Sequence, residues 1–487
     1  MLNIMEKLVG REYEISVFQK LINSDKAEFV AVYGRRRVGK TFLVDSLFLH
    51  KYTFSMTGIM DGSFDEQMHA FTDALDMYGT VLEQQPKSWL DAFSALRKLL
   101  AQKIEKSANP CILFIDELPC LDTPRSGFIK ALGYFWNSWA SKQDKIKLIV
   151  CGSATSWMID NIINAKGSLH NRITCEMHLH PFTLKETEEY LKNRNFEWTR
   201  LMILQAYMAM GGIPYYLGML DGKQSVPQNF DRLFFQRDAE LKKEFRRLFR
   251  TLFKKPEPYM QIVQLLAENK KGLKRDQLAE KLEKSNNGHL GNYLEDLIQC
   301  DFIRKYAIRD KKVSYKSGIY QLTDFYTLFY FSFIHKAEGN EHFWSENLNT
   351  PTMNTWLGLS FEKVCHSHIA QLLRALHIDV ISTNHYSWRS NPQKDLEEPH
   401  SPGAQIDLII ERADQIINIC EIKYGDSSYI ITKEEDEKMR NRLAKFKMQT
   451  GIRCALWPTF ITTFGLADNM YAKTIPAQAV LDDLFEN

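Results

Sequence analysis

Eight residues, Gly34-Arg35-Arg36-Arg37-Val38-Gly39-Lys40-Thr41, constrain this chain more than any other stretch. They match G-x-x-x-x-G-K-[S/T], directly after the apolar run 28–33 and directly before the helically spaced residues 40–49. Glycines let backbone N–H groups approach an anion closely, and a helix opening on the same loop favours negative charge. The spacing therefore predicts a phosphate-cradling strand-to-helix turn, in which Lys40 reaches the outer phosphates of a nucleotide and Thr41 ligates magnesium.

A second apolar run, Cys111-Ile112-Leu113-Phe114-Ile115, ends in Asp116-Glu117. Downstream of such a loop, Asp116 is expected to hold magnesium through water and Glu117 to polarise the attacking water, because phosphoryl transfer needs positioning and charge neutralisation. A third buried run, 147–151, ends in Gly152-Ser153, which places the Ser153 hydroxyl near the γ-phosphate or makes it a plain helix cap. Arg172, ahead of the strand expected at 173–180, is either a finger toward a neighbouring subunit's phosphate or a solvated cation. His178 and His180 alternate on that strand without further ligand company and read as packing or edge residues.

With 487 residues the chain exceeds what one hydrophobic core supports, so several domains are expected. Strands alternating with helices over 28–182 imply a parallel sheet covered on both faces, making 1–182 a nucleotide-binding core of α/β class. Residues 183–255 read as a helical lid. Three helical stretches (259–268, 275–282 and 288–300) and two strands (302–308 and 313–322) make 256–335 a winged helix-turn-helix. A polar linker at 336–355 precedes an α/β domain at 356–487, with 383–405 as a surface loop. The net charge of +2 predicts neither a nucleic-acid nor a membrane partner, the eight cysteines contain no Cys-x-x-Cys pair, and no apolar run is long enough to span a bilayer. A cytoplasmic protein is expected.

Local clusters are more specific. Between Arg237 and Lys255 basic residues outnumber acidic ones, which is either a solvated helix face or a phosphate-binding stripe beside the winged helix. Asn286, Asn287, His289 and Asn292 are placed to face a DNA groove. Near the C-terminus, Asp407 and the Glu421-Ile422-Lys423 triplet lie on two strands of an expected hairpin turning at Ala413-Asp414. Alternation puts Glu421 and Lys423 on one face, with Asp407 on the neighbouring strand, so two hard carboxylates can share magnesium and activate water while the lysine offsets charge. Glu362, on the preceding helix, is a candidate further ligand.

Gly10-Arg11-Glu12, the Gly34–Thr41 loop, Phe114-Ile115-Asp116-Glu117, Gly152-Ser153 and Gly211-Gly212-Ile213-Pro214-Tyr215-Tyr216 together resemble the archaeal-type ATPase family, a prokaryotic branch of the AAA+/STAND ATPases. That resemblance implies ATP as ligand and puts Gly10 and Arg11 near the adenine. AAA+ kinship implies a homo-oligomeric ring, whereas STAND relatives stay monomeric until triggered. The C-terminal region resembles the DUF234-type domain that accompanies these ATPases and is similar to PD-(D/E)XK nucleases of restriction-endonuclease-like fold, with Ile406 where the motif has proline. The function so implied is an ATPase coupling nucleotide state to a magnesium-dependent, nuclease-like domain acting on DNA or RNA. The alternatives are a STAND-like ATP-dependent switch without cleavage and an interaction protein of a defence or mobile-element system.

Overall fold

The computed structural model describes residues 8–282, 288–309, 313–337, 339–390 and 404–486. They divide into two compact units. The first runs to Pro181 and takes in Ile213–Tyr215 and Arg250–Lys254; the second holds the remainder.

In the first unit five parallel strands, β1 (Glu28–Tyr33), β2 (Tyr52–Thr57), β3 (Cys111–Asp116), β4 (Ile146–Gly152) and β5 (Cys175–His178), stand in the order β2-β3-β4-β1-β5. Every residue of β3 and β4 is buried, as strands covered by helices on both faces require. Helices Phe64–Met77, Trp89–Lys106 and Phe128–Ser138 pack Phe71, Trp89, Phe93, Phe128 and Phe135 into one apolar cluster with Phe29, Phe54 and Leu113 of the sheet. The edge strand β2 is absent from the expectations above. Its sequence, Tyr-Thr-Phe-Ser-Met-Thr, lacks the continuous apolar run of the central strands because only Phe54 and Met56 are buried.

The second unit opens with helices Leu184–Asn193, Arg200–Met210 and Glu240–Leu252, where a helical segment is expected. The segment expected to form a winged helix-turn-helix contains helices Glu257–Glu268, Arg275–Lys281 and Gly288–Gln299 and strands β6 (Leu273–Lys274), β7 (Ile303–Arg309) and β8 (Val313–Leu322), with β7 and β8 antiparallel. Asn286 and Asn287 lie outside the described residues, while His289 and Asn292 are exposed. This hairpin is not separate from the C-terminal strands. β7 pairs through Ile308 with Ser387 of β9 (Thr383–Ser390), and the sheet continues through β10 (Ala404–Arg412), β11 (Ile416–Lys423), β12 (Ala455–Thr462) and β13 (Ala477–Val480).

Two expectations are corrected. Part of the supposed loop at 383–405 is the strand β9, whose Tyr386 and Trp388 are buried in the C-terminal core beside Phe446 and Phe460. The supposed linker at 336–355 is anchored. Trp344, on the short helix Phe343–Glu346, is buried with its ring centroid 5.0 Å from Phe230, 5.1 Å from Phe329, 5.2 Å from Phe333 and 5.5 Å from Trp356. The Trp344 backbone N–H donates to Asp231 Oδ1 at 2.8 Å, and the Ser345 hydroxyl donates to the other oxygen of the same carboxylate. Trp344→Ala is therefore expected to destabilise the second unit by about 3–5 kcal/mol, the range for emptying a large buried aromatic site. Urea unfolding checks this; a change below about 1 kcal/mol would mean the stretch is only a tether.

Candidate functional site

The loop after β1 is shaped by two glycines. Gly34 has φ 136°, and a Cβ there would lie 2.4 Å from the Leu179 carbonyl oxygen; Gly39 has φ 88°. Both conformations are open to glycine and strained for other residues. Helix Lys40–Phe48 starts on this loop with Lys40 buried, its Nζ donating to the Gly34 and Arg35 carbonyls at 2.8 and 2.9 Å. Burial lowers the Lys40 pKa, against the charges of Glu117 and Asp116 and the Cys151 thiol, which raise it. A cation held by its own loop among N–H groups is a ready anion site.

Parallel register carries the acids to the same edge. Tyr33 of β1 pairs with Gly152 of β4, and β3 lies on the far side of β4. Thr41 Oγ1 donates to Asp116 Oδ2 at 2.8 Å, the Glu117 N–H donates to Asp116 Oδ1 at 2.9 Å, and Ser153 Oγ donates to the Glu117 carboxylate at 2.9 and 3.1 Å. Glu117 has φ 45°, the left-handed region that non-glycine residues rarely occupy and that clusters at functional sites. Arg11, also left-handed at φ 62°, is buried and donates to the Val38 carbonyl inside the loop at 3.2 Å, with Gly10 beside it at φ 65°. The Arg37 guanidinium lies 3.8 Å over the Tyr215 ring, a contact not read from the sequence.

Arg172 stands apart. Thr174 binds Phe29 at the start of β1, so Arg172 sits at the edge of the sheet opposite the loop, exposed. It is no part of its own chain's phosphate site. His178 stacks on Tyr33 at 4.8 Å and meets His180 at 3.9 Å.

With this geometry in view, the comparisons are specific. Residues 8–220 match the model of an ATPase domain predominantly from Archaea. This segment is an ATPase domain. An uncharacterized protein of Methanocaldococcus jannaschii is 25% identical over 371 residues, 75% of this chain and 77% of that one. The Walker-type ATPase of Pyrococcus abyssi shares the fold with TM-score 0.51 and 18% identity, over 68% of this chain and 97% of its own. The ORC2 protein of Aeropyrum pernix, solved with ADPNP and ADP, aligns with TM-score 0.42 and 13% identity over 74% and 96%. Among the described residues no helix is long and apolar enough to cross a membrane.

A second cluster lies in the C-terminal sheet. Leu408 of β10 pairs with Cys420 of β11, so one further step of the register sets Asp407 opposite Glu421. Pairing of β10 with β9 breaks between Ile406 and Ile409, and the Asp407 carbonyl instead accepts Ser387 Oγ at 2.7 Å and His366 Nε2 at 3.2 Å. Such irregularities re-aim a side chain. Gln405 Nε2 donates to Asp407 Oδ1 at 3.0 Å. Glu362, from helix Pro351–Ser367, faces the same charges: burial, then Asp407, pushes its carboxyl up to about 8. Burial and Glu421 likewise raise Asp407.

Glu421 is already engaged. Lys423 Nζ lies 2.7 Å from Oε1, and Arg442 of helix Lys433–Thr450 pairs with Oε2. Among the described residues Glu362, Asp407 and Glu421 do not bring three ligand atoms within 4.8 Å of one another. Arg442, Gln405 and His366 went unread in the sequence. Arg442 lies in a helix dense with both charges, where nothing in the spacing separates it from its neighbours.

Lys40→Ala is expected to abolish ATP binding; undiminished affinity by calorimetry would contradict the assignment of the loop. Glu117→Gln should retain ATP binding and lose hydrolysis by a factor on the order of 10²–10⁴, the usual range for a positioned base. Phosphate release measured under single turnover separates the two effects.

Proposed function

We propose that the chain couples ATP turnover to a magnesium-dependent, nuclease-like site in its C-terminal half, acting on nucleic acid. The observation that carries this is the face-to-face placement of Asp407 and Glu421 on β10 and β11, with Lys423 two residues on and Glu362 opposing them from a helix.

In the ATPase domain, Thr41 Oγ1 and the Asp116 carboxylate offer the hard oxygen donors that suit magnesium. Lys40 would hold the outer phosphates, Gly34 and Gly39 would bring backbone N–H groups to them, and Gly10 and Arg11 would stand on the adenine side. Glu117, bound to Ser153, would orient the attacking water.

At the C-terminal cluster, Asp407, Glu421 and Glu362 would hold magnesium, which when bound lowers the pKa of water and stabilises charge on a phosphoryl group. The raised pKa values of Glu362 and Asp407 fit this use: carboxylates crowded against one another are stabilised in their charged forms by a divalent cation. Lys423 would offset charge on the attacked phosphate. The exposed cations Lys243, Arg246 and Arg247 of helix Glu240–Leu252, and His289 and Asn292 of the winged-helix-like segment, would supply sequence-independent contacts to DNA.

One observation favours the second reading, an ATP-dependent switch that binds without cutting. Both oxygens of Glu421 are paired with cations, and one pair must open before a metal takes that carboxylate. The expected outcome for the nuclease is magnesium-dependent degradation of DNA or RNA by wild type, with loss in Asp407→Ala and in Glu421→Gln. Wild type that leaves a panel of single- and double-stranded substrates intact, with ATP and magnesium present, decides for the switch.

A further inference from the structure

The Gly34–Thr41 loop carries three arginines, and two of them are committed. Arg35 is buried, its carbonyl accepting the Lys40 ammonium at 2.9 Å, and Arg37 lies over Tyr215. Arg36 is not committed. It is half-buried, and among the described residues its side chain forms no hydrogen bond or ion pair; Nη1 is enclosed by protein and left without an acceptor. The two acids of the site are held elsewhere: Asp116 by Thr41 and the Glu117 N–H, and the Glu117 carboxylate by Ser153.

The loop fixes where Arg36 stands. The Arg35 carbonyl that accepts the Lys40 ammonium belongs to the peptide bond joining Arg35 to Arg36, so Arg36 starts one peptide plane from the lysine nitrogen. Its guanidinium is close enough to repel Lys40 and to favour the thiolate of Cys120. Cys120 stands on the turn Leu118–Leu121 directly after Glu117, where its N–H donates to the Glu117 carbonyl at 2.9 Å. The unpaired cation thus lies between the lysine of the loop and the turn that follows the acid. Arg172, the arginine singled out in the sequence, is at the opposite edge of the sheet. An enclosed cationic donor without an acceptor is costly until an anion meets it, and the planar fork of a guanidinium matches the oxygens of a phosphoryl group.

We propose that Arg36 is a catalytic residue of ATP hydrolysis, binding the γ-phosphoryl group from within its own phosphate loop, so that no neighbouring subunit has to supply an arginine. In the reaction the water oxygen bonds to the γ-phosphorus as the bond from phosphorus to the β–γ bridging oxygen breaks. The electron pair of that bond leaves on ADP, one water proton stays on the inorganic phosphate, and the other passes by way of Glu117 to solvent. Charge gathers on the oxygens of the transferred group and of the leaving ADP, and Arg36 meets it there while Lys40 holds the outer phosphates. The proposal rests on the reading of Lys40 and Glu117 as parts of the hydrolytic site, and adds the group that answers the charge of the transition state.

The test uses the full chain with magnesium. Arg36→Ala is expected to bind ATP within about threefold of wild type by calorimetry, and to hydrolyse it about 10³-fold more slowly under single turnover, the low end of what an arginine on a transferred phosphoryl group supplies. Arg36→Lys, which keeps the charge and loses the planar fork, should recover only part of that rate. Aluminium fluoride, which with ADP mimics the transferred phosphoryl group, should tighten ADP binding by wild type and not by Arg36→Ala, a readout that a merely structural role leaves unmoved. The wild-type single-turnover rate should be the same across a range of chain concentrations. Hydrolysis by Arg36→Ala within about threefold of wild type, or a fall in ATP affinity as large as the fall in rate, overturns the proposal. So does a rate that climbs with chain concentration and is lost in Arg172→Ala, which puts the arginine in a neighbouring subunit. Lys40→Ala separates the proposal from the reading beneath it: undiminished ATP binding in that variant sinks the loop assignment, whereas binding lost there with Arg36→Ala unimpaired removes only the arginine.

Discussion

The ATPase domain depends on the parallel register of β1 between β4 and β5. Pairing of Tyr33 with Gly152 on one side and His178 on the other brings the ends of three strands to one edge of the sheet. The residues proposed to handle phosphate emerge there: the Gly34–Thr41 loop from β1, Asp116 and Glu117 from β3, and Ser153 from β4. The Thr41–Asp116 and Ser153–Glu117 hydrogen bonds join residues 75 and 36 positions apart in the chain, and neither forms if a strand slips by one residue, since a slip turns every side chain to the other face.

That register explains what was legible. A motif whose chemistry is local, such as the loop with its two glycines, can be read directly, because the conformation it needs is set by residues a few positions apart. The strand runs 111–115 and 147–151 were legible for the same reason: burial on both faces leaves continuous apolar stretches. The rest was hidden where the signal was averaged away. β2 and β9 are strands with alternating or mixed faces, and Phe343 and Trp344 are anchors set among Glu341, His342, Ser345 and Glu346, so a window over that stretch reads polar although its centre is buried. The place of Arg172 was hidden for another reason. Its place in the sequence left a finger toward a neighbouring subunit and a solvated cation both open, and only strand pairing tells which edge of the sheet it occupies.

In the C-terminal sheet the governing effect is like-charge crowding. The positions of Asp407, Glu421 and Lys423 were readable from alternation along two strands. Arg442 and Lys363 were not, since their roles come from helices that the fold packs against those strands. Their presence changes the chemistry of the cluster: Arg442 and Lys423 pair with Glu421, while Lys363 stands against Glu362.

The division of the chain itself has a consequence. Residues 213–215 and 250–254 belong with the nucleotide-binding unit although the helices on either side of them belong with the other. The polypeptide thus passes between the two units five times, and no single cut yields two complete halves. The crossing at 215–216 shows this most closely: Tyr215, stacked on Arg37 of the Gly34–Thr41 loop, is followed directly by Tyr216, whose hydroxyl is bound to Glu244 of the second unit. Adjacent residues, joined by one peptide bond, thus belong to different units.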